Sequence, residues 1–148
     1  MNLANRNFLI LVLLISIDQV VKFFARIGLA NGSFFIFNDI AGFQLSYNYG
    51  IWMGIHLLYP LTIIFNVVAI ALIIYFFLQK KTNILANGWL KLGCLLILSG
   101  AISNLIDRIF FGFVTDYIAA LHFTIFNLAD VFIVVGIIVC LLTYKNKK

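Results

Sequence analysis

Asp116 and Asp130 are the side chains in this sequence best suited to chemistry. The chain has five acidic residues, all of them aspartate, and these two fall in the stretch from Val114-Thr-Asp-Tyr-Ile118 to Phe126-Asn-Leu-Ala-Asp130, at the edge of hydrophobic runs. An ionised carboxylate in or near a bilayer core is costly and usually faces a protein interior or a wet cavity. Two carboxyl groups brought together cannot both ionise easily, so they share a proton near neutral pH. One then takes a proton from a water that attacks an amide carbonyl. The other donates to the carbonyl oxygen and later helps to protonate the leaving amine. The plain structural alternative makes Asp116 a loop residue and Asp130 a helix N-terminal residue favoured by the macrodipole. Other hydrolytic constellations are poorly supported. His56 and His122 stand in separate loops, and Cys94 and Cys140 sit inside apolar runs, where cysteine acts as a small hydrophobe. No H-E-x-x-H or comparable spacing exists, so metal ligation is poorly supported, and two carboxyl groups acting on water call for no metal or organic cofactor.

The elements that must position the pair are hydrophobic. The chain of 148 residues is 64% apolar and 16% aromatic, with one proline and a mean hydropathy of +1.12. That composition excludes a soluble domain and describes an all-α integral membrane protein with short connections. The length leaves room for four spans of roughly 20 residues and no large soluble domain. A single membrane domain over residues 1–148 is expected, with helices at about 8–25, 57–78, 89–106 and 126–144. Extracytoplasmic segments fill 28–56 and 107–125. A cleaved signal peptide is not expected at the start, because the first run carries Asp18 and no A-x-A pattern follows it.

Asp18 lies about 15 Å along the axis from Phe8, and Asp18 and Lys22 are i,i+4 neighbours on one face. Mutual neutralisation explains them; the functional alternative has Lys22 reaching lipid headgroups or substrate while Asp18 holds it. In Phe43 to Tyr47 apolar and polar residues alternate with the period of a half-buried strand. Ser33 to Phe37 is a second strand candidate, with turn residues Asn38 to Gly42 between. A small β-hairpin on the outer face is expected. Gly50 and Gly54 bracket the aromatic-rich loop that follows. In the third span Ser99, Gly100, Ser103 and Asn104 allow close helix packing, and Asn104, Asp107 and Arg108 share a face by helical spacing.

Orientation follows from the basic residues. With both termini cytoplasmic, Arg6, Lys80, Lys81, Lys91, Lys145, Lys147 and Lys148 lie inside, and Lys22, Arg26 and Arg108 lie outside or near it. This is a positive-inside bias, so the net charge of +5 orients the chain and no nucleic-acid partner is expected. All five aspartates then lie toward the outer side.

Asp18-Gln-Val-Val-Lys22, Asn48-Tyr-Gly50 through Gly54, Gly100-Ala-Ile-Ser-Asn-Leu-Ile-Asp-Arg108, Val114-Thr-Asp116 and Phe126-Asn-Leu-Ala-Asp130 resemble, in order and over essentially the whole chain, the blocks of the lipoprotein signal peptidases (signal peptidase II). The resemblance implies an aspartic endopeptidase of the bacterial cytoplasmic (inner) membrane. Such an enzyme cuts the signal peptide from a prolipoprotein just before a diacylglyceryl-modified cysteine. Carried over by motif, Asp116 and Asp130 are the catalytic pair. Asn48 and Gly50 belong to the substrate-facing loop, and Asp18 and Lys22 support the first helix near the substrate. Asn104, Arg108 and Asn127 order the site by hydrogen bonds, and Gly100 and Ala129 stand in the supporting blocks. The expected partners are the lipidated prolipoprotein and membrane lipids, with the enzyme a monomer. Three departures stand out: Ile51-Trp-Met53 where small residues and a Phe are usual, Ser103 where Gly is common, and Thr124 where Pro is frequent. A small proton-coupled transporter and a membrane assembly subunit are the competing classes. The first is disfavoured because the acids do not form a path across the membrane. The second would tolerate Asp→Asn changes at Asp116 or Asp130.

Overall fold

The computed structural model describes residues 3–36, 40–50, 59–78, 87–120 and 124–145. Ile51 to Gly54, Asp39, His56, His122 and the basic residues Lys80, Lys81, Lys147 and Lys148 lie outside the described residues. Among the described residues four helices and four strands follow in the order α1 (Leu3–Gly28), β1 (Phe34–Ile36), β2 (Ala41–Asn48), α2 (Tyr59–Leu78), α3 (Gly88–Phe111), β3 (Val114–Ala120), β4 (Thr124–Phe126) and α4 (Leu128–Lys145).

Local chemistry explains where the helices begin and stop. The Asn87 side chain accepts from the backbone N–H groups of Trp89 and Leu90 and caps α3. Gly112 ends the same helix in a left-handed conformation, φ 82°, with its N–H returned to the Arg108 carbonyl. Pro60 falls in the first turn of α2, where its missing N–H would have had no helical partner. Two helices have long apolar stretches, Asn5–Gly28 and Gly88–Phe111, and two have shorter ones, Pro60–Phe76 and Leu128–Thr143.

Three helices differ from their expected bounds; the fourth begins at Leu128 rather than 126, because Phe126 pairs in β4. The first helix starts five residues before Phe8 and runs three past Ala25. The third continues through Phe111, so Asp107 and Arg108 are helical rather than part of an extracytoplasmic segment beginning at 107. The reason is that the α3 stop signal is Gly112; a charged pair buried against α1 and the sheet does not end a helix.

The expected hairpin is one half of a larger sheet. β1, β2, β3 and β4 are hydrogen-bonded neighbours in that order, all antiparallel. β3 is central and buried along most of its length, so its sequence lacks the alternation that marks β2, where exposed and covered positions mix. One extra β2 residue between the Phe43–Ile118 and Ser46–Asp116 pairs makes a bulge. Bulges twist a strand and re-aim its side chains.

The helices turn apolar side chains outward and polar ones inward. Phe8, Leu9, Phe24, Phe65, Phe76, Leu141 and Leu142 are exposed, while Asp18, Lys22, Ser99, Ser103, Asp107, Thr115 and Asn127 are completely covered. An apolar exterior of this extent suits lipid rather than water. α3 and α4 meet in a seam of small residues. A Cβ on Gly100 would strike the Ala129 carbonyl and come 2.8 Å from Ile133 Cγ1; one on Gly136 would come 2.7 Å from Ile97 Cγ1 and 2.6 Å from the Gly93 carbonyl. The isoleucine of one helix thus sits over the glycine of the other.

Candidate active site

The Phe126-Asn-Leu-Ala-Asp130 block is a helix start. Asn127 Oδ1 accepts the backbone N–H of Asp130 at 2.9 Å, and Asp130 Oδ2 accepts that of Asn127 at 3.3 Å. This reciprocal cap satisfies two N–H groups that a helix N-terminus leaves unpaired and locks Asp130 in the first turn of α4. The same Asn127 reaches the other aspartate: its Nδ2 donates to Asp116 Oδ1 at 2.6 Å.

Asp116 comes from β3, not from a loop, and is 2% exposed. Its second oxygen accepts Asn48 Nδ2 at 3.1 Å. Asn48 ends β2 two residues beyond the Ser46–Asp116 pair, close enough across the ladder to reach it. Burial is the main influence on the Asp116 carboxyl and, with the nearby charge of Asp130, pushes its pKa up to about 7; the hydrogen bonds from Asn48 and Asn127 and the charge of Lys22 pull weakly the other way.

Asn104 of α3 completes the centre. Its Nδ2 donates to Asp130 Oδ1 at 2.9 Å, and its Oδ1 accepts Asn127 Nδ2 at 3.2 Å. Around this cluster the remaining groups fall into two sets. Arg108 donates to the Gly50 carbonyl at 2.8 Å and to the Asn104 carbonyl at 3.4 Å, while the Gly50 N–H bonds Asn48 Oδ1 at 2.9 Å. Arg108 thereby holds the chain just after β2, through backbone carbonyls. Asp18 of α1 accepts the Ala129 N–H at 2.9 Å, which fastens α1 to the first turn of α4. Ala129 is fully covered, and Gly100 lies against its carbonyl.

A family model described as signal peptidase (SPase) II matches residues 10–145. The chain belongs to this family. A curated lipoprotein signal peptidase of Clostridium tetani (strain Massachusetts / E88) is 37% identical over 143 residues, 92% of this chain and 90% of that protein. One of Clostridioides difficile (strain 630) is 39% identical over 136 residues, 86% of each chain. Two solved bacterial membrane enzyme structures, determined by the in meso method, are similar to it at 25% identity. One has a TM-score of 0.81 and covers 97% of this chain and 90% of its own; the other has a TM-score of 0.77 and covers 96% and 94%. This signal peptidase II family member is therefore a membrane protein and a peptidase by kinship.

Several polar side chains have partners that their sequence spacing does not reveal. Lys22 does not reach for headgroups. It is fully buried, with its ammonium 2.9 Å from Asp18 Oδ2 and 3.3 Å from Asp107 Oδ2, so the i,i+4 pair is really a triad. An uncompensated buried charge is costly; one ammonium between two carboxylates leaves a surplus negative charge, which Arg26, 3.9 Å from Asp107 Oδ1, and the hydrogen bonds to both carboxylates offset. Gln19 and Ser103 were not expected at the site. Ser103 Oγ donates to Asp18 Oδ2 at 2.6 Å, and Gln19 Nε2 donates to Ser103 Oγ and Asp107 Oδ1. Ser103, a departure from the small residue usual there, thus gains two bonds. Asp107 also accepts the Thr115 N–H at 2.9 Å, and Arg26 donates to Thr115 Oγ1 at 2.8 Å while lying over the Phe111 ring. A signal existed: Gln19, Lys22 and Arg26 recur at i, i+3 and i+7, a polar stripe on an apolar helix. Tyr117 had no such signal; its hydroxyl accepts the Leu128 N–H, and burial raises its pKa. Thr124, the other departure among the described residues, opens β4 opposite Ala120. No group of three or more His, Cys, Asp or Glu among the described residues is arranged to hold a metal ion.

Proposed function

We propose that this chain is an intramembrane aspartic endopeptidase that removes the signal peptide from diacylglyceryl-modified bacterial prolipoproteins, with Asp116 and Asp130 as the reacting pair. The observation that carries the reading is Asn127, whose side chain bonds Asp116 while its backbone and side chain together cap Asp130. One residue thereby gathers two carboxyl groups from different elements into a polar centre walled by apolar helices.

The chemistry follows. Near neutral pH the pair holds one proton. The ionised member takes a proton from water, whose oxygen attacks the scissile carbonyl carbon; the protonated member donates to the carbonyl oxygen. Collapse of the tetrahedral intermediate breaks the C–N bond, and the proton taken from water passes to the leaving amine. Asn48, Asn104 and Asn127 supply neutral N–H donors that hold the carboxyls without cancelling their acid–base function, and Arg108 positions the substrate-facing segment at Gly50. Four helices cross the cytoplasmic membrane, with both termini inside and the pair at the outer face. The substrate enters laterally, its acyl chains remaining among the exposed apolar helix faces. The curated relatives' name, lipoprotein signal peptidase, supports the substrate class. Against a transporter, the buried acids Asp18, Asp107 and Asp116 join one hydrogen-bonded cluster at one end of the helices.

The test uses purified protein in lipid with a diacylglyceryl-modified prolipoprotein, following loss of the signal peptide by gel shift. Wild type is expected to cleave and Asp130→Asn to leave the substrate intact. Cleavage by the folded Asp130→Asn variant would reject the aspartate pair.

A further inference from the structure

Lys22 of α1 carries the buried ammonium nearest to the pair, and all of its donors are in use. They meet Asn104 Oδ1 at 2.9 Å, Asp18 Oδ2 at 2.9 Å and Asp107 Oδ2 at 3.3 Å. An ammonium has three donors and no lone pair, so the end of the Asn104 amide that faces it must be the oxygen. That oxygen also accepts Asn127 Nδ2 at 3.2 Å, which fills its second lone pair. Turning the amide over would set its NH2 against the ammonium and against the Asn127 NH2, donor facing donor where no water can intervene, and would set its oxygen against Asp130 Oδ1. Buried groups left without a partner are costly. The amide therefore has one orientation, with Nδ2 on Asp130 Oδ1 at 2.9 Å. The constraint passes on, because the Asn127 NH2 that is held against Asn104 also donates to Asp116.

Resting on the proposed reading of the pair, we infer that Lys22 is a positioning residue: it sets the orientation of the Asn104 amide, and through Asn104 and Asn127 it decides which N–H groups face Asp130 and Asp116. It touches neither substrate nor water, and works through hydrogen bonds one and two links away. Asp18 and Asp107 share the ammonium, which holds the charge in place.

The experiment compares wild type, Lys22→Met and the charge-balanced double variant Lys22→Met/Asp107→Asn in lipid, measuring kcat and KM on the diacylglyceryl-modified prolipoprotein together with thermal unfolding. The double variant keeps the net charge of the cluster as in wild type, and the remaining Asp18 keeps its hydrogen bonds from Ser103 Oγ and the Ala129 N–H. A misoriented catalytic group costs about 10²-fold in rate, so kcat is expected to fall by about that factor in whichever variant unfolds cooperatively, with KM unchanged. A folded variant with wild-type kcat, or with its loss confined to KM, overturns the inference. So does failure of both variants to fold, which would make Lys22 a purely structural residue. Asp130→Asn assayed in parallel separates the two claims. If it cleaves, the aspartic reading itself is wrong; if it is inactive while Lys22→Met is unimpaired, only the role of Lys22 is rejected.

Discussion

The seam between α3 and α4 is built in two ways along its length. At one end Gly93, Gly136, Cys94 and Cys140 bring the backbones together with apolar contacts. Eleven residues farther along α3, the same face presents Asn104, bonded across the seam to Asp130 and Asn127. Gly100 against Ala129 is the changeover. The difference reflects what lipid can and cannot replace. Lipid tails are as apolar as leucine, so the Gly93–Gly136 end gains mainly from dispersion and close fit, with one weak hydrogen bond from Cys140 Sγ to the Leu90 carbonyl at 3.9 Å. The Asn104 end uses directional bonds between groups that lipid cannot solvate, and only such bonds can hold two carboxyl groups in one arrangement.

The sharpest way to break the comparison is to remove the acids. Asp116→Asn and Asp130→Asn keep the volume and lose the acid–base function, so each is expected to cost at least about 10²–10⁴-fold in kcat while leaving insertion and cooperative unfolding in place. Cleavage assays and circular dichroism in lipid check this.

Next in size is a pair of glycine substitutions on the one seam. Gly100→Val and Gly136→Val both overpack, at about 1–3 kcal/mol each. Gly100→Val pushes at Ala129, next to Asp130, and is expected to lower kcat by more than its loss of stability explains. Gly136→Val is expected to lower the unfolding temperature with kcat retained. Equal effects on kcat would mean that the seam acts as one rigid unit.

Arg108→Lys replaces a planar fork that grips two backbone carbonyls with a point charge. A fall in kcat/KM of about tenfold is expected, corresponding to one lost hydrogen bond to a charged group. Wild-type turnover would show that holding Gly50 does not require the second donor on the Asn104 carbonyl.

A separate effect is on the pH dependence of stability, which leaves turnover aside. In the folded protein the Asp116 pKa is raised to about 7, against about 3.9 for an unperturbed Asp. Between those values the folded state holds a proton that the unfolded state has lost, so this group's contribution to stability falls as pH rises through the window. Asp116→Asn removes that dependence. Its unfolding temperature relative to wild type is expected to rise from about pH 4 to about pH 7 and then level off. A gap that does not vary with pH would contradict the raised value.

Much of this was legible in the residues themselves. The alternation of Phe43 to Tyr47 marks β2, the apolar runs mark the helices, and the i,i+3 spacing of Asn127 and Asp130 sets the two on one face, although their reciprocal cap shows only in the structure. Other parts were not. β3 is buried on both faces, so its pattern lacks the period that marks a strand. Lys22 and Asp18 look like a self-contained pair because i,i+4 spacing is visible in sequence, whereas Asp107 lies 85 residues from Lys22 and meets it only across α1 and α3. Ser103 reads as a small packing residue until Asp18 stands opposite it.

By itself, the sequence determined the apolar helices, the clustering of basic residues at helix ends, and the five motif blocks that place the chain in its family. These are properties of neighbours along the chain or of composition, so they need no partner to be expressed. Only the tertiary structure decided that Asp116 and Asp130 meet through Asn127, that the hairpin is half of a four-stranded sheet, and that Lys22 is buried against Asn104. The physical reason is that a hydrogen bond depends on distance and direction between groups far apart in sequence, and those quantities exist only once the helices have packed.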